Sequence, residues 1–198
     1  MSPYVVVVGT SYGGLQALSM LLGGLPADFG AAMVVVQHRS RDSDETLSRL
    51  LQDRTSLPVV EVDDKDAIEP GHIFIAPPDY HLLIEGKTFA LSTEAPVAFS
   101  RPSIDVLFES AAEALGDRVV GVLLTGANAD GAVGLVRIKQ RGGYVIVQDP
   151  ETAVGRAMPA AGIAIAPVDI VLPLERIAGH LVDVVGRRAG AGPRPSRS

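Results

Sequence analysis

The 198-residue chain contains no cysteine, which excludes disulfides, thiol nucleophiles and cysteine-ligated metals. Histidine is sparse, with four in all; no two stand at metal-ligand spacing, and no H-E-x-x-H pattern occurs. No metal site and no cofactor are expected. No apolar run approaches the roughly 20 residues that cross a bilayer, and the first residues lack the basic start and apolar core of a secretory signal. Positive charge is also short, with 17 Lys and Arg against 23 Asp and Glu. Four of those 17 are arginines in the last twelve residues, Arg187, Arg188, Arg194 and Arg197; setting them aside leaves 13 against 23, about −10. A body so acidic does not suit a broad nucleic-acid surface. These absences lead us to expect a soluble cytoplasmic protein, with one domain over 1–186 and a basic tail over 187–198 that is disordered by composition.

What the chain does have is a 47% hydrophobic composition, arranged as apolar strand patterns alternating with helical ones. Strands are expected at Tyr4–Val8, Ala32–Val36, Val59–Val62, Val119–Leu124, Tyr144–Val147 and Ile170–Leu172. Helices are expected at Gly14–Leu22, Asp44–Asp53, Ser103–Ala114, Gly131–Gln140, Ala157–Gly162 and Leu174–Val185. The alternation predicts an α/β fold, doubly wound, with a mainly parallel sheet and helices on both faces. The middle differs. Gly71–Ala76 and His81–Ser92 read as short strands around the turn Glu85-Gly86-Lys87, an antiparallel hairpin inserted at the sheet edge. Thr93–Pro102 is irregular and is placed as a wall of a cleft.

The first strand breaks into Gly9-Thr10-Ser11-Tyr12-Gly13-Gly14, a G-x-S-x-G turn leading into a helix. Such a turn exposes a serine hydroxyl and leaves backbone N–H groups free to face an oxyanion. A nucleotide-binding reading competes, because Gly9, Ser11 and Gly14 occupy the positions of G-x-G-x-x-G. Ser11 replaces its middle glycine, and the second strand ends in Gln37-His38 rather than in an acid. His38 stands where a base for Ser11 belongs. A third loop, Gly126–Gly131, leaves the strand Val119–Leu124 and carries Asp130, which suits either capping of the helix that follows or orientation of an imidazole. Of the remaining histidines, His180 is read as an ordinary helical residue, and His72 and His81 as structural or surface groups.

These residues resemble the catalytic domain of the CheB-type chemotaxis receptor methylesterases. The resemblance runs from Val5 to about Val185 and is carried by Gly9–Gly14, Val36-Gln37-His38, Pro70–Pro77, Arg101–Phe108, Leu124-Thr125-Gly126 and Asp130-Gly131. It implies hydrolysis of glutamate γ-methyl esters, with deamidation of glutamines in some members, on a methyl-accepting chemoreceptor or similar coiled-coil protein. It places the catalytic triad on Ser11, His38 and Asp130 and the oxyanion donors on the N–H groups of Tyr12 and Ala127. The family usually has threonine at Tyr12 and Gly-Met-Gly-Asn-Asp-Gly at Gly126–Gly131, changes that bear on pocket shape while leaving backbone donors in place. A receiver domain, and with it aspartyl-phosphate control, is not expected in this chain. Substrate contacts are expected from Tyr12, Arg39, Arg41 and Arg101. The alternatives are a serine esterase or amidase on another substrate, or a non-catalytic nucleotide-binding or scaffold protein.

Overall fold

Val5–Val8 and Met33–Val36 are apolar at every position because both faces of their strands are covered. The computed structural model describes residues 4–38, 46–97 and 99–190. Nine strands and six helices alternate over those residues: β1 (Val5–Thr10), α1 (Gly14–Gly23), β2 (Ala32–Gln37), α2 (Thr46–Gln52), β3 (Val59–Glu61), β4 (Ile73–Ile75), β5 (His81–Glu85), β6 (Thr88–Ser92), α3 (Ile104–Leu115), β7 (Val119–Leu123), α4 (Ala132–Gln140), β8 (Tyr144–Gln148), α5 (Ala157–Ile165), β9 (Ile170–Leu172) and α6 (Leu174–Gly190).

Seven strands form one parallel sheet in the order β3-β4-β2-β1-β7-β8-β9. The period-2 geometry of a strand splits the valine runs between two cores. Val6, Val8, Met33 and Val35 pack with α1, α2 and α6, whereas Val5, Val7, Val34 and Val36 pack with α3, α4 and α5. Helix α3 shows how the pattern works locally. Ile104, Leu107, Phe108, Ala111, Ala112 and Leu115 make one buried stripe, Ser103 caps its start, and Gly116 at φ 61° ends it. Burying each large side chain in such a stripe contributes about 1.5–3 kcal/mol. No helix among the described residues is long and apolar enough to cross a membrane.

The doubly wound architecture agrees with the sequence reading, and the hairpin needs amending. Ile73–Ile75 joins the main sheet, parallel to β2 and β3, and is no part of the hairpin. Strands β5 and β6 form their own two-stranded sheet near that edge, tied through Ile68 N–H to Lys87 O and Phe89 N–H to Asp66 O. Helix α6 continues to Gly190, past the expected boundary at Arg187, and residues 191–198 lie outside the described ones.

Winding reverses at β1: the chain builds one side of the sheet through β2 and returns to build the other from β7. Ligand clefts of open α/β sheets lie at that point, beyond the carboxyl ends of the strands.

Candidate active site

Ser11 follows β1 directly, and His38 follows β2. Thr10 and Gln37 are the last register pair of these strands, and His38 N–H donates to Thr10 O at 3.0 Å, so the two residues leave the sheet side by side. Gly13, at φ 80°, turns the chain into α1. At Gly14 a Cβ would run into the Gln37 amide and fall 2.7 Å from Thr10 Oγ1, so any side chain there would displace these two residues. The turn is fastened to the neighbouring loop: Ser11 N–H donates to Thr125 O (2.9 Å) and Thr125 Oγ1 donates to Tyr12 O (2.8 Å). Among the described residues, no hydrogen bond engages the Ser11 hydroxyl or the N–H groups of Tyr12 and Ala127. That leaves one hydroxyl and two backbone donors available to a ligand.

His38 Nε2 lies 2.7 Å from Asp130 Oδ2, with 12% of the imidazole and none of the carboxylate exposed. A carboxylate only accepts, so the proton of this bond sits on Nε2 and the Nδ1 lone pair is left for a second partner. Asp130 does not cap the helix that follows it. Gly131, at φ 96°, is the N-cap of α4 and gives that helix no side-chain hydrogen bond. The carboxylate reaches instead to the start of α3, taking Ser103 Oγ–H at 2.9 Å, Ile104 N–H at 2.7 Å and Asp105 N–H at 3.0 Å. Capping is therefore real but belongs to a helix 26 residues earlier in the chain.

Burial alone would raise the Asp130 carboxyl. The hydrogen bond from His38 and those from the Asp105 and Ile104 N–H groups outweigh it and hold the group below its ordinary value of 3.8. Asp105, next to it, goes the other way. Burial pushes it up to about 6, the Gly134 N–H opposes that rise, and the Asp130 charge adds to it.

The other expected site residues divide. Tyr12 is beside Ser11 and 63% exposed. Arg39 and Arg41 lie outside the described residues. Arg101 ties its own loop to the one before β5: Nε and one terminal nitrogen donate to Asp79 Oδ1, and the other terminal nitrogen donates to Thr93 O and Glu94 O. All three guanidinium nitrogens of Arg101 thus hold acceptors of the surrounding loops. His180 pairs with Tyr144 at the first residue of β8, the opposite edge of the sheet, so it takes no part in this cluster. His72 is partly exposed and stacks on Phe74.

Gln37 was missed. Its Nε2 donates to both Ser11 O and His38 O, each at 2.9 Å, while its buried Oε1 has no partner among the described residues. The only signal was its place immediately before His38. Ser103 was missed as well; its signal was the cap position at the head of the α3 stripe.

A family model described as CheB methylesterase matches residues 6–181. A protein of Leptospira interrogans, provisionally named protein-glutamate methylesterase/protein-glutamine glutaminase, is 48% identical over 179 residues, covering 90% of this chain and 93% of that one. Relatives from Methanosarcina mazei and Pseudomonas aeruginosa with that activity in their names are each 39% identical, over 91% and 96% of this chain. The chain spans about half their length, 52% and 55%. The crystal structure of the Thermotoga maritima CheB methylesterase catalytic domain matches with a TM-score of 0.90 at 34% identity, covering 93% of this chain and 100% of that one.

Proposed function

The chain belongs to the CheB methylesterase family, and we propose that it hydrolyses glutamate γ-methyl esters on a methyl-accepting chemoreceptor or similar coiled-coil protein. The observation that carries the mechanism is the 2.7 Å bond from His38 Nε2 to the buried Asp130, on the strand end beside Ser11.

Ser11 Oγ attacks the ester carbonyl while His38 Nδ1 takes its proton, and Asp130 holds the tautomer and stabilises the imidazolium. The oxyanion is received by the N–H groups of Tyr12 and Ala127. Collapse of the tetrahedral adduct breaks the bond to the methoxy oxygen, and His38 returns the proton so that methanol leaves. Water, deprotonated by His38, then attacks the Ser11 acyl ester; the bond to Ser11 Oγ breaks as His38 returns the proton to that oxygen, and the glutamate carboxylic acid leaves and ionises. A glutamine amide follows the same path with ammonia as the leaving group. That is the second activity in the relatives' names.

Tyr12, exposed beside the nucleophile, borders the bound side chain, and Arg39 remains a candidate contact for an acidic receptor surface. We assign the catalytic unit to residues 1–186. A cysteine-free chain without a membrane-crossing helix among the described residues fits a cytoplasmic enzyme.

Methanol release from a methylated receptor tests the proposal, together with labelling of Ser11 by a serine-directed fluorophosphonate. Turnover of small acyl esters with none of the receptor would favour a serine esterase on another substrate. Tight dinucleotide binding with no label on Ser11 would end the enzymatic reading.

A further inference from the structure

We propose that His81 is a positioning residue that sets the place of Asp130 through the N-cap of α3, an inference that rests on the reading of Ser11, His38 and Asp130 as the reacting groups. The sequence suggested only a structural or surface histidine. The structure buries it: His81 is 2% exposed and Ser103 0%.

All three donors that fix the Asp130 carboxylate, apart from His38, come from Ser103, Ile104 and Asp105. Whatever fixes the head of α3 therefore fixes the carboxylate. The N–H of an N-cap residue lies outside the helix ladder and needs a partner when buried. For Ser103 that partner is His81 Nδ1, which accepts the N–H at 3.2 Å. The other ring nitrogen faces Ala95 O at 3.1 Å, an atom that only accepts. One neighbour gives a proton and the other takes one, so both are satisfied only with the His81 proton on Nε2. The relay then reads Ala95 O, His81, Ser103, Asp130, His38, every link a hydrogen bond.

A second tie runs parallel to it. Arg101 binds Asp79 two residues before each end of the His81–Ser103 pair, so the start of β5 and the start of α3 are joined twice. This gives the two-stranded β5–β6 sheet a purpose. A hairpin of that size is marginal alone; packed on α3, with Ile84 N–H donating to Ser110 Oγ at 3.1 Å, it presents a fixed acceptor to the cap. A misplacement of about 1 Å at a reacting group can cost roughly 100-fold in rate.

Three variants separate positioning from bulk support. His81→Leu removes both ring contacts. His81→Asn places Oδ1 where Nδ1 was and can still accept the Ser103 N–H. His81→Gln reaches Ala95 O but offers Ser103 no acceptor. We expect His81→Leu and His81→Gln to lower both kcat for methanol release and the rate of fluorophosphonate labelling at Ser11 by about 10- to 100-fold. KM should stay within about twofold. His81→Asn should recover to within about threefold of wild type on both rates, whatever its melting temperature. The low-field proton of the His38–Asp130 bond should weaken in His81→Gln and return in His81→Asn. If His81→Leu does not fold, the Asn–Gln pair decides. Equal rates for that pair, or rates that follow melting temperature instead of the acceptor, overturn the proposal. A wild type that never labels at Ser11 removes the triad reading itself, and this inference with it; a labelled wild type with an unimpaired His81→Gln removes this inference alone.

Discussion

At Ser11 and His38 the chemistry depends on single atoms, and for Ser11 the cost of losing them should be catalytic alone. Neither side chain supports the core: the Ser11 hydroxyl has no hydrogen bond among the described residues, and His38 is held from outside by Asp130. We expect Ser11→Ala and His38→Ala each to lower methanol release by at least about 1000-fold, and the double variant to lose little more, since the pair acts as a unit. Stability in urea should stay within about 0.5 kcal/mol for Ser11→Ala. Turnover near wild type in folded Ser11→Ala would end the serine-nucleophile mechanism. Gln37 should behave differently. Gln37→Leu removes the donor that ties the Ser11 and His38 carbonyls, but it also removes the buried, unpaired Oε1, and Ser11 O keeps the Gly14 N–H at 2.9 Å. The two effects on stability offset each other to within about 1 kcal/mol, while the looser turn slows Ser11 labelling by about tenfold. Labelling at the wild-type rate would show that the sheet alone holds the two loops.

Scale changes the meaning of Asp130, which belongs to three elements at once: it leaves β7, precedes α4 and caps α3. Asp130→Ala should therefore lose activity and also about 1–3 kcal/mol of stability in urea denaturation, because buried donors at the head of α3 lose their acceptor. A fully stable Asp130→Ala would contradict this geometry. The candidates Ser11, His38 and Asp130 stand out in the sequence because each lies in a stretch that follows an apolar run, and strand ends of a parallel sheet meet on one edge. The sequence could not show which helix Asp130 caps. Local spacing points to the nearest helix start, whereas the carboxylate turns to one that the fold brings alongside. The hairpin was misjoined for a similar reason: Ile73–Ile75 is too short for periodicity to distinguish a central parallel strand from an edge one, and only its pairing with β2 and β3 decides. Arg101 reads as a free cation because its acceptors, Asp79 Oδ1 and the Thr93 and Glu94 carbonyls, become neighbours only when the β5–β6 hairpin brings its two ends together and the loop after it folds back. His81 was hidden likewise, since its partners Ser103 and Ala95 are 22 and 14 residues away.

For the molecule as a whole, two carboxyls at the head of α3 set opposite pH dependences of folding. Asp130 is held below its ordinary value, so the unfolded chain binds that proton more readily than the folded one. Its contribution is present above about 3.8 and is lost as pH falls through the lower folded value. Asp105, pushed up to about 6 by burial and by the Asp130 charge, binds its proton more readily when folded. Its contribution is complete below about 3.8 and is lost as pH rises through about 6. Between pH 4 and 6 the Asp130 contribution is nearly constant, and Asp105 should make the protein less stable as pH rises. Partial exposure of Asp105 screens the effect, so its full shift does not convert to stability. Asp105→Asn keeps an oxygen for the Gly134 N–H, which Asp105 Oδ1 accepts at 2.7 Å, and carries no charge at any pH. In that variant the fall between pH 4 and 6 should flatten, and the Tm at pH 7.5 should exceed that of wild type by about 2 °C or more. Ser11 labelling should persist, because Asp105 meets Asp130 through its backbone N–H, which the substitution leaves in place. Tm curves for wild type and Asp105→Asn that run parallel from pH 4 to 7 would show that Asp105 binds its proton equally well in the folded and unfolded chain, and would remove it as a cause of the fall in stability with rising pH.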